Sequence, residues 1–188
     1  MEIKKYWDNA VDYNEYLREA GERLGNPKSE QEAEFGEYYR LGIQRMNRMF
    51  EKYLPSEEDV ATLAKKSFRG KILIISEAWC GDASQVIPVV VKFFEQFDVR
   101  ITYRDQEPSL IDSFLTDGGK SIPIVIFLDE NLNYINHWGP RPKHGKELLE
   151  KYKANPETMS KDDFYVELQT YYAKNRGKDT VEELLQLI

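Results

Sequence analysis

The chain has 188 residues, with 26 Lys+Arg against 33 Asp+Glu, a formal net charge of −7, 41% hydrophobic residues and one cysteine. A single cysteine excludes any disulfide within the chain, and with it a disulfide-stapled secreted scaffold; the acidic balance, without a run of Lys and Arg, argues against a nucleic-acid or anionic-membrane binder. No apolar stretch approaches the roughly 20 residues that cross a bilayer, and the opening MEIKKYWDNAVDYNEYL lacks the apolar centre and cleavage site of a secretory signal, so the expected location is cytoplasmic.

The first 70 residues read as helices. Ala10, Tyr13, Leu17, Ala20 and Leu24 recur at helical spacing until Gly25-Asn26-Pro27 breaks the segment. Ser29 and Glu32 form a capping-box pair opening a second helix, whose apolar side runs through Phe35, Tyr39, Ile43, Met46 and Phe50 up to the stop at Pro55. Ser56 with Asp59 opens a third, carrying Val60, Leu63, Ala64 and Phe68.

From Lys71 the period changes. Lys71 to Ser76 is a β-branched run of the kind expected for a strand buried on both faces. A helix over 82–97, a strand over 99–104 and a short helix over 108–115 follow. Strands over 124–128 and 134–138 are joined by a polar hairpin loop, and a helix covers 143–152. The first two strands form a parallel unit. Beyond Pro156 the pattern is helical to the end, with Ser160 and Asp163 capping one helix and Thr180 to Leu187 forming the last. This divides the chain into an N-terminal helical extension (1–70) packed on the core, an α/β core (71–152) and a C-terminal helical extension (153–188).

The chemistry concentrates in SEAWCGDASQVIPVV, residues 76–90. Trp79 and Cys80 follow a buried strand and precede a helix, whose N-terminal partial charge and free N–H groups favour a thiolate. Asp82 opposes this with a nearby negative charge, and Glu77 is placed to do the same. Spacing alone leaves open whether Cys80 is an exposed reactive thiol or a small buried hydrophobe.

Trp79-Cys80-Gly81 and Pro88 resemble the active-site region of the thioredoxin superfamily, and Ser121-Ile122-Pro123-Ile124 resembles the loop where that family holds a cis-proline facing the cysteine. Gly139 follows the hairpin where the family also has a glycine. The resemblance covers about residues 71 to 152 and is closest to the Trp-Cys-Gly-Asp variety. It implies a thioredoxin-like core, a mixed sheet flanked by helices, with Cys80 as the catalytic residue and Trp79, Ile122 and Pro123 lining a substrate groove. Two departures stand out. The family's second cysteine is Ala83 here, and its buried carboxylate on the first core strand is Ile74. A mixed disulfide on Cys80 has no internal thiolate to resolve it.

The expected function is thiol–disulfide redox work through Cys80 alone, a monothiol oxidoreductase acting on protein thiols or disulfides. Glutathione or another small thiol would serve as co-substrate, and no bound cofactor is implied. The alternative is a redox-inactive thioredoxin-fold interaction module. A cluster-sharing role like that of the monothiol glutaredoxins is disfavoured, because Glu77 stands where those proteins have a lysine shortly before the cysteine, and no glycine pair follows Pro123. His137 and His144 do not show the clustered spacing of a metal site with Cys80.

Overall fold

The computed structural model describes residues 2–155 and 157–188; the expected helical start at Pro156 lies outside the described residues. Four strands form one sheet in the order β2-β1-β3-β4, with β1 (Lys71–Ser76) and β3 (Ile124–Leu128) central and β2 (Val99–Tyr103) and β4 (Tyr134–Trp138) at the edges. β1 runs parallel to β2 and antiparallel to β3, and β3 runs antiparallel to β4, so the sheet is mixed. Ile74, at the centre of β1, pairs with Ile101 on one side and Val125 on the other. Every residue of β3 and all of β1 after Lys71 are buried. That is why both read as unbroken apolar runs rather than alternating ones.

The nine helices among the described residues are α1 (Ile3–Asp8), α2 (Tyr13–Gly25), α3 (Glu30–Glu34), α4 (Gly36–Lys52), α5 (Glu57–Lys65), α6 (Ala83–Phe93), α7 (Lys143–Ala154), α8 (Lys161–Asn175) and α9 (Lys178–Leu185). α6 carries Pro88 and is almost wholly buried, packed against α4 on one flank and α9 on another. α2 lies against β2 and α4. Tyr16, fully buried on α2, places its hydroxyl 2.9 Å from Ser76 Oγ at the end of β1. The mixed sheet flanked by helices, with helical extensions at both ends, is the thioredoxin-like α/β arrangement expected from the sequence.

Several boundaries differ from the periodicity, each for a physical reason. Ala10 falls outside α2, because Val11 leaves the helical pattern to pair with Ile101, exchanging backbone hydrogen bonds of 2.9 and 2.8 Å. Ser29 Oγ accepts from the Glu32 N–H at 3.1 Å, but the Glu32 carboxylate accepts from Lys28 N at 2.6 Å rather than from Ser29, so the capping box is half formed. The helix it opens breaks at Phe35, whose ring is turned to Trp79, and restarts as α4. α6 ends at Phe93, where a tight turn from Phe97 N–H to Phe94 O (2.9 Å) sends the ring of Phe94 toward Phe127. The short helix expected over 108–115 is a 3-10 turn at Leu110–Ser113. The Ser160–Asp163 box of α8 is complete in both directions.

Candidate functional site

β1 delivers the chain to the site, and the six residues after it form the loop that enters α6. Ala78 is held against α4 so closely that a Cβ on Gly42 would lie 2.2 Å from the Ala78 carbonyl oxygen, so only glycine fits at that position of α4. Trp79 is half-buried between two neighbours. The ring of Phe35 has its centroid 5.1 Å away, and the Arg104 guanidinium sits 4.7 Å over the indole.

Cys80 is 9% exposed. Its Sγ donates to the Ile122 carbonyl at 3.4 Å, and the Ile122–Pro123 peptide is cis. The loop carrying Pro123 is braced by Gly139, which has φ +139° and whose Cβ would fall 2.2 Å from Pro123 O. Structure therefore brings Cys80, Ile122 and Pro123 together, with Trp79 adjacent through the chain. Ala83, in the place of a second thiol, is fully buried, and Ile74 beneath the loop is fully buried as well. Neither of these two apolar side chains can act as a nucleophile or accept a proton.

Electrostatics at Cys80 run against ionisation. Burial pushes the thiol up to about 12, and the Asp82 carboxylate adds to the rise. The backbone N–H groups of Ala83 and Asp82 and the charge of Arg141 oppose it without reversing it. Of the two settings the sequence left open for Cys80, the structure shows the covered one, and desolvation outweighs the helix N-terminus in the direction of its shift.

Two networks around the loop escaped the sequence reading. The first centres on Asp82. Arg141 donates to its carboxylate through Nη2 (2.6 Å) and Nε (3.2 Å), and the buried Tyr172 hydroxyl donates to Oδ1 at 2.6 Å. These partners lie 59 and 90 residues away, so no local spacing announces them. The second centres on Glu77, 2% exposed, which accepts from Asp105 N at 2.9 Å and from Arg23 Nη1 at 3.2 Å. Burial raises Glu77 to about 7, against the pull of these donors. A cleft of about 300 Å³ opens beside Trp79, lined by residues including Arg23, Glu32, Phe35, Glu77 and Tyr103. Arg23 answers its carboxylates from within, standing 3.2 Å from Glu77 and 3.9 Å from Glu32.

Among the described residues no group of three or more His, Cys, Asp or Glu could hold a metal ion. His137 lies on β4 within hydrogen-bonding distance of Tyr134 (2.7 Å), and His144 lies on α7 against Tyr171. No helix of the described residues is long and apolar enough to cross a membrane.

A family model described as thioredoxin matches residues 29–153. The chain belongs to the thioredoxin family. The matched region of this thioredoxin-family chain reaches back beyond the core to Ser29 and so includes α3, α4 and α5. None of the curated proteins matches it. Two solved structures are similar to it throughout. One is a protein of unknown function from Pseudomonas aeruginosa, 16% identical, with a TM-score of 0.59 over 96% of this chain and 92% of that one. The other is an HIV epitope-scaffold, 15% identical, with a TM-score of 0.62 over 98% of this chain and 95% of that one. At these identities the likeness is one of fold.

Proposed function

We propose that this chain is a thioredoxin-fold binding module, in which Cys80 rests as a protonated thiol at neutral pH and does not turn over disulfides. The observation that carries the reading is the burial of the thiol against the Ile122 carbonyl. The thiol is nine-tenths buried, donates to Ile122 O, and shares its surroundings with the Asp82 carboxylate. Thiolate is the attacking species in disulfide exchange, so a thiol held near 12 supplies almost none of it at neutral pH. Ala83 and Ile74, both apolar and fully buried, add that a mixed disulfide would have no internal route to resolution. In this reading protein partners are engaged by the groove beside Trp79 and Pro123 and by the helical arms.

One observation favours the monothiol redox reading. Cys80 Sγ faces the Ile122–Pro123 peptide, the position from which a bound strand-like substrate would be presented to it. The pH dependence of native alkylation separates the two. Because Cys80 is the one cysteine, iodoacetamide incorporation reports on it alone, with Cys80→Ser as the blank. The binding-module reading expects a rate that is still rising beyond about pH 10.5, where a free cysteine of pKa about 8.5 has already reached its plateau. A plateau with an apparent pKa below that value, accompanied by glutathione-dependent reduction of a mixed disulfide, overturns it in favour of the monothiol enzyme.

A further inference from the structure

The cleft of about 300 Å³ beside Trp79 has room for a small ligand, and it is not the groove at Cys80. Its walls come from α2, α3, α4 and the chain at the ends of β1 and β2; Cys80, Ile122 and Pro123 take no part. Phe35, Tyr39, Trp79 and Tyr103 supply its aromatic surface. Glu77 is the most deeply buried of the charged residues that line it.

Carboxylates outnumber cations around this cleft. Glu19, Glu32 and Glu77 share Arg23, and Asp105 is held by Arg104, which makes four carboxylates for two guanidinium groups. Two of the four have acceptor capacity to spare. An ionised carboxylate oxygen accepts about two hydrogen bonds. Among the described residues Glu77 Oε1 takes only the Asp105 N–H, and Oε2 takes only Arg23 Nη1. Glu32 Oε1 lies 3.9 Å from Arg23 Nε, beyond hydrogen-bond reach. A buried carboxylate whose one cation is shared three ways is incompletely compensated. The aromatic walls already hold flat cations, with Arg23 4.3 Å over Tyr103 and Arg104 4.7 Å over Trp79.

We propose that this cleft binds an organic cation of the guanidinium class, with Glu32 and Glu77 as its acceptors. A guanidinium suits it because the group is planar, weakly hydrated and able to lie against aromatic rings while bonding carboxylates at its edge. A bare metal ion does not, since no three His, Cys, Asp or Glu among the described residues converge to hold one. An anion would meet the excess of carboxylates. The site goes beyond the groove at Cys80 and stands whether or not that thiol reacts. Its chemistry is shared by a small free guanidinium compound and by the arginine side chain of a peptide.

The test follows the Trp79 indole N–H in ¹⁵N spectra of the full chain, with the indoles of Trp7 and Trp138 as internal controls. The probes, at low ionic strength, are ethylguanidinium, N-acetyl-Gly-Arg-Gly-amide and the same peptide with neutral citrulline in place of arginine. Saturable movement of Trp79 with the two cations and not with the citrulline peptide is expected. Glu32→Gln is expected to weaken binding about threefold, and Glu77→Gln about tenfold at about pH 8. Burial raises Glu77 to about 7, whereas the probe keeps its charge throughout. Affinity is therefore expected to rise several-fold from about pH 6 to about pH 8 in the wild-type chain and to stay flat in Glu77→Gln. Arg23, Arg104 and Asp105 face Glu77, together with the hydroxyls of Tyr16, Tyr39 and Tyr103, all three raised above the ordinary tyrosine value. Equal saturation by both cations identifies a seat for the free compound, and markedly tighter binding of the arginine peptide identifies a peptide side chain. No saturable shift up to about 20 mM, equal response to the citrulline peptide, or unchanged affinity in both variants overturns the proposal. So does displacement by an equal concentration of sodium, which would mark unspecific attraction of cations. The readout leaves Cys80 untouched, so it can fail while the alkylation profile succeeds, and the reverse.

Discussion

Replacing Glu77 by Gln probes the balance of burial and charge beside the Cys80 loop. The carboxyl is 2% exposed, and burial raises it from 4.5 to about 7, although the Asp105 N–H, Arg23 and Arg104 all favour the ionised form. Between those two values the folded chain keeps a proton that the unfolded chain has released. The stability that Glu77 contributes is therefore fully present below about pH 4.5 and is lost as pH rises through about 7. The gap is worth about 3 kcal/mol, at roughly 1.4 kcal/mol for each tenfold change in proton affinity. Glutamine has the same shape and no titration. Urea unfolding of both chains between about pH 4.5 and pH 8 isolates the difference, because every other titrating group is common to them. The wild-type chain is expected to lose about 3 kcal/mol relative to Glu77→Gln across that range. Parallel curves would refute the reasoning. A wild-type chain that gains on the variant as pH rises would show that the Arg23 pair outweighs desolvation.

Two further substitutions test the covering of the site. Arg141→Met leaves the buried Asp82 carboxylate with the Tyr172 hydroxyl alone and is expected to cost about 3–5 kcal/mol in urea unfolding, whereas Tyr172→Phe removes one hydrogen bond and costs about 1–3 kcal/mol. Near-zero costs for both would mean that the network does not hold the loop. Gly42→Ala drives a methyl group against Ala78 O and is expected to lower stability by about 1–3 kcal/mol, with the largest amide shifts at Ala78 and Trp79.

The core was legible because its signals are local. KILIIS and IVIFL lie in the sheet centre, covered throughout apart from Lys71, and the Ser56 and Ser160 caps open their helices through side-chain bonds three residues long. The motif around Cys80 was equally visible, and Trp79, Ile122 and Pro123 lie beside or against it. The state of the thiol was not legible. It depends on how completely the loop is covered and on which groups answer Asp82, and those are set by Arg141 and Tyr172, far along the chain. Glu77 carried a faint signal, being a carboxylate directly after a fully apolar strand, but its partner Arg23 lies on α2, 54 residues earlier. The restart at Phe35 was hidden for the same reason. Helical spacing continues straight through it, and the break follows from the pairing of its ring with Trp79.

The bond between Tyr172 and Asp82 also has a consequence in time. A chain made from its N-terminus exposes the Cys80 loop and the strands around it well before α8 leaves the ribosome. Until residue 172 emerges, Asp82 lacks one of its two donors and Gly81 lacks Gln169 above it. The nascent polypeptide therefore passes through an interval in which the loop of its one cysteine lacks these α8 contacts, and the emergence of α8 is the step that closes it.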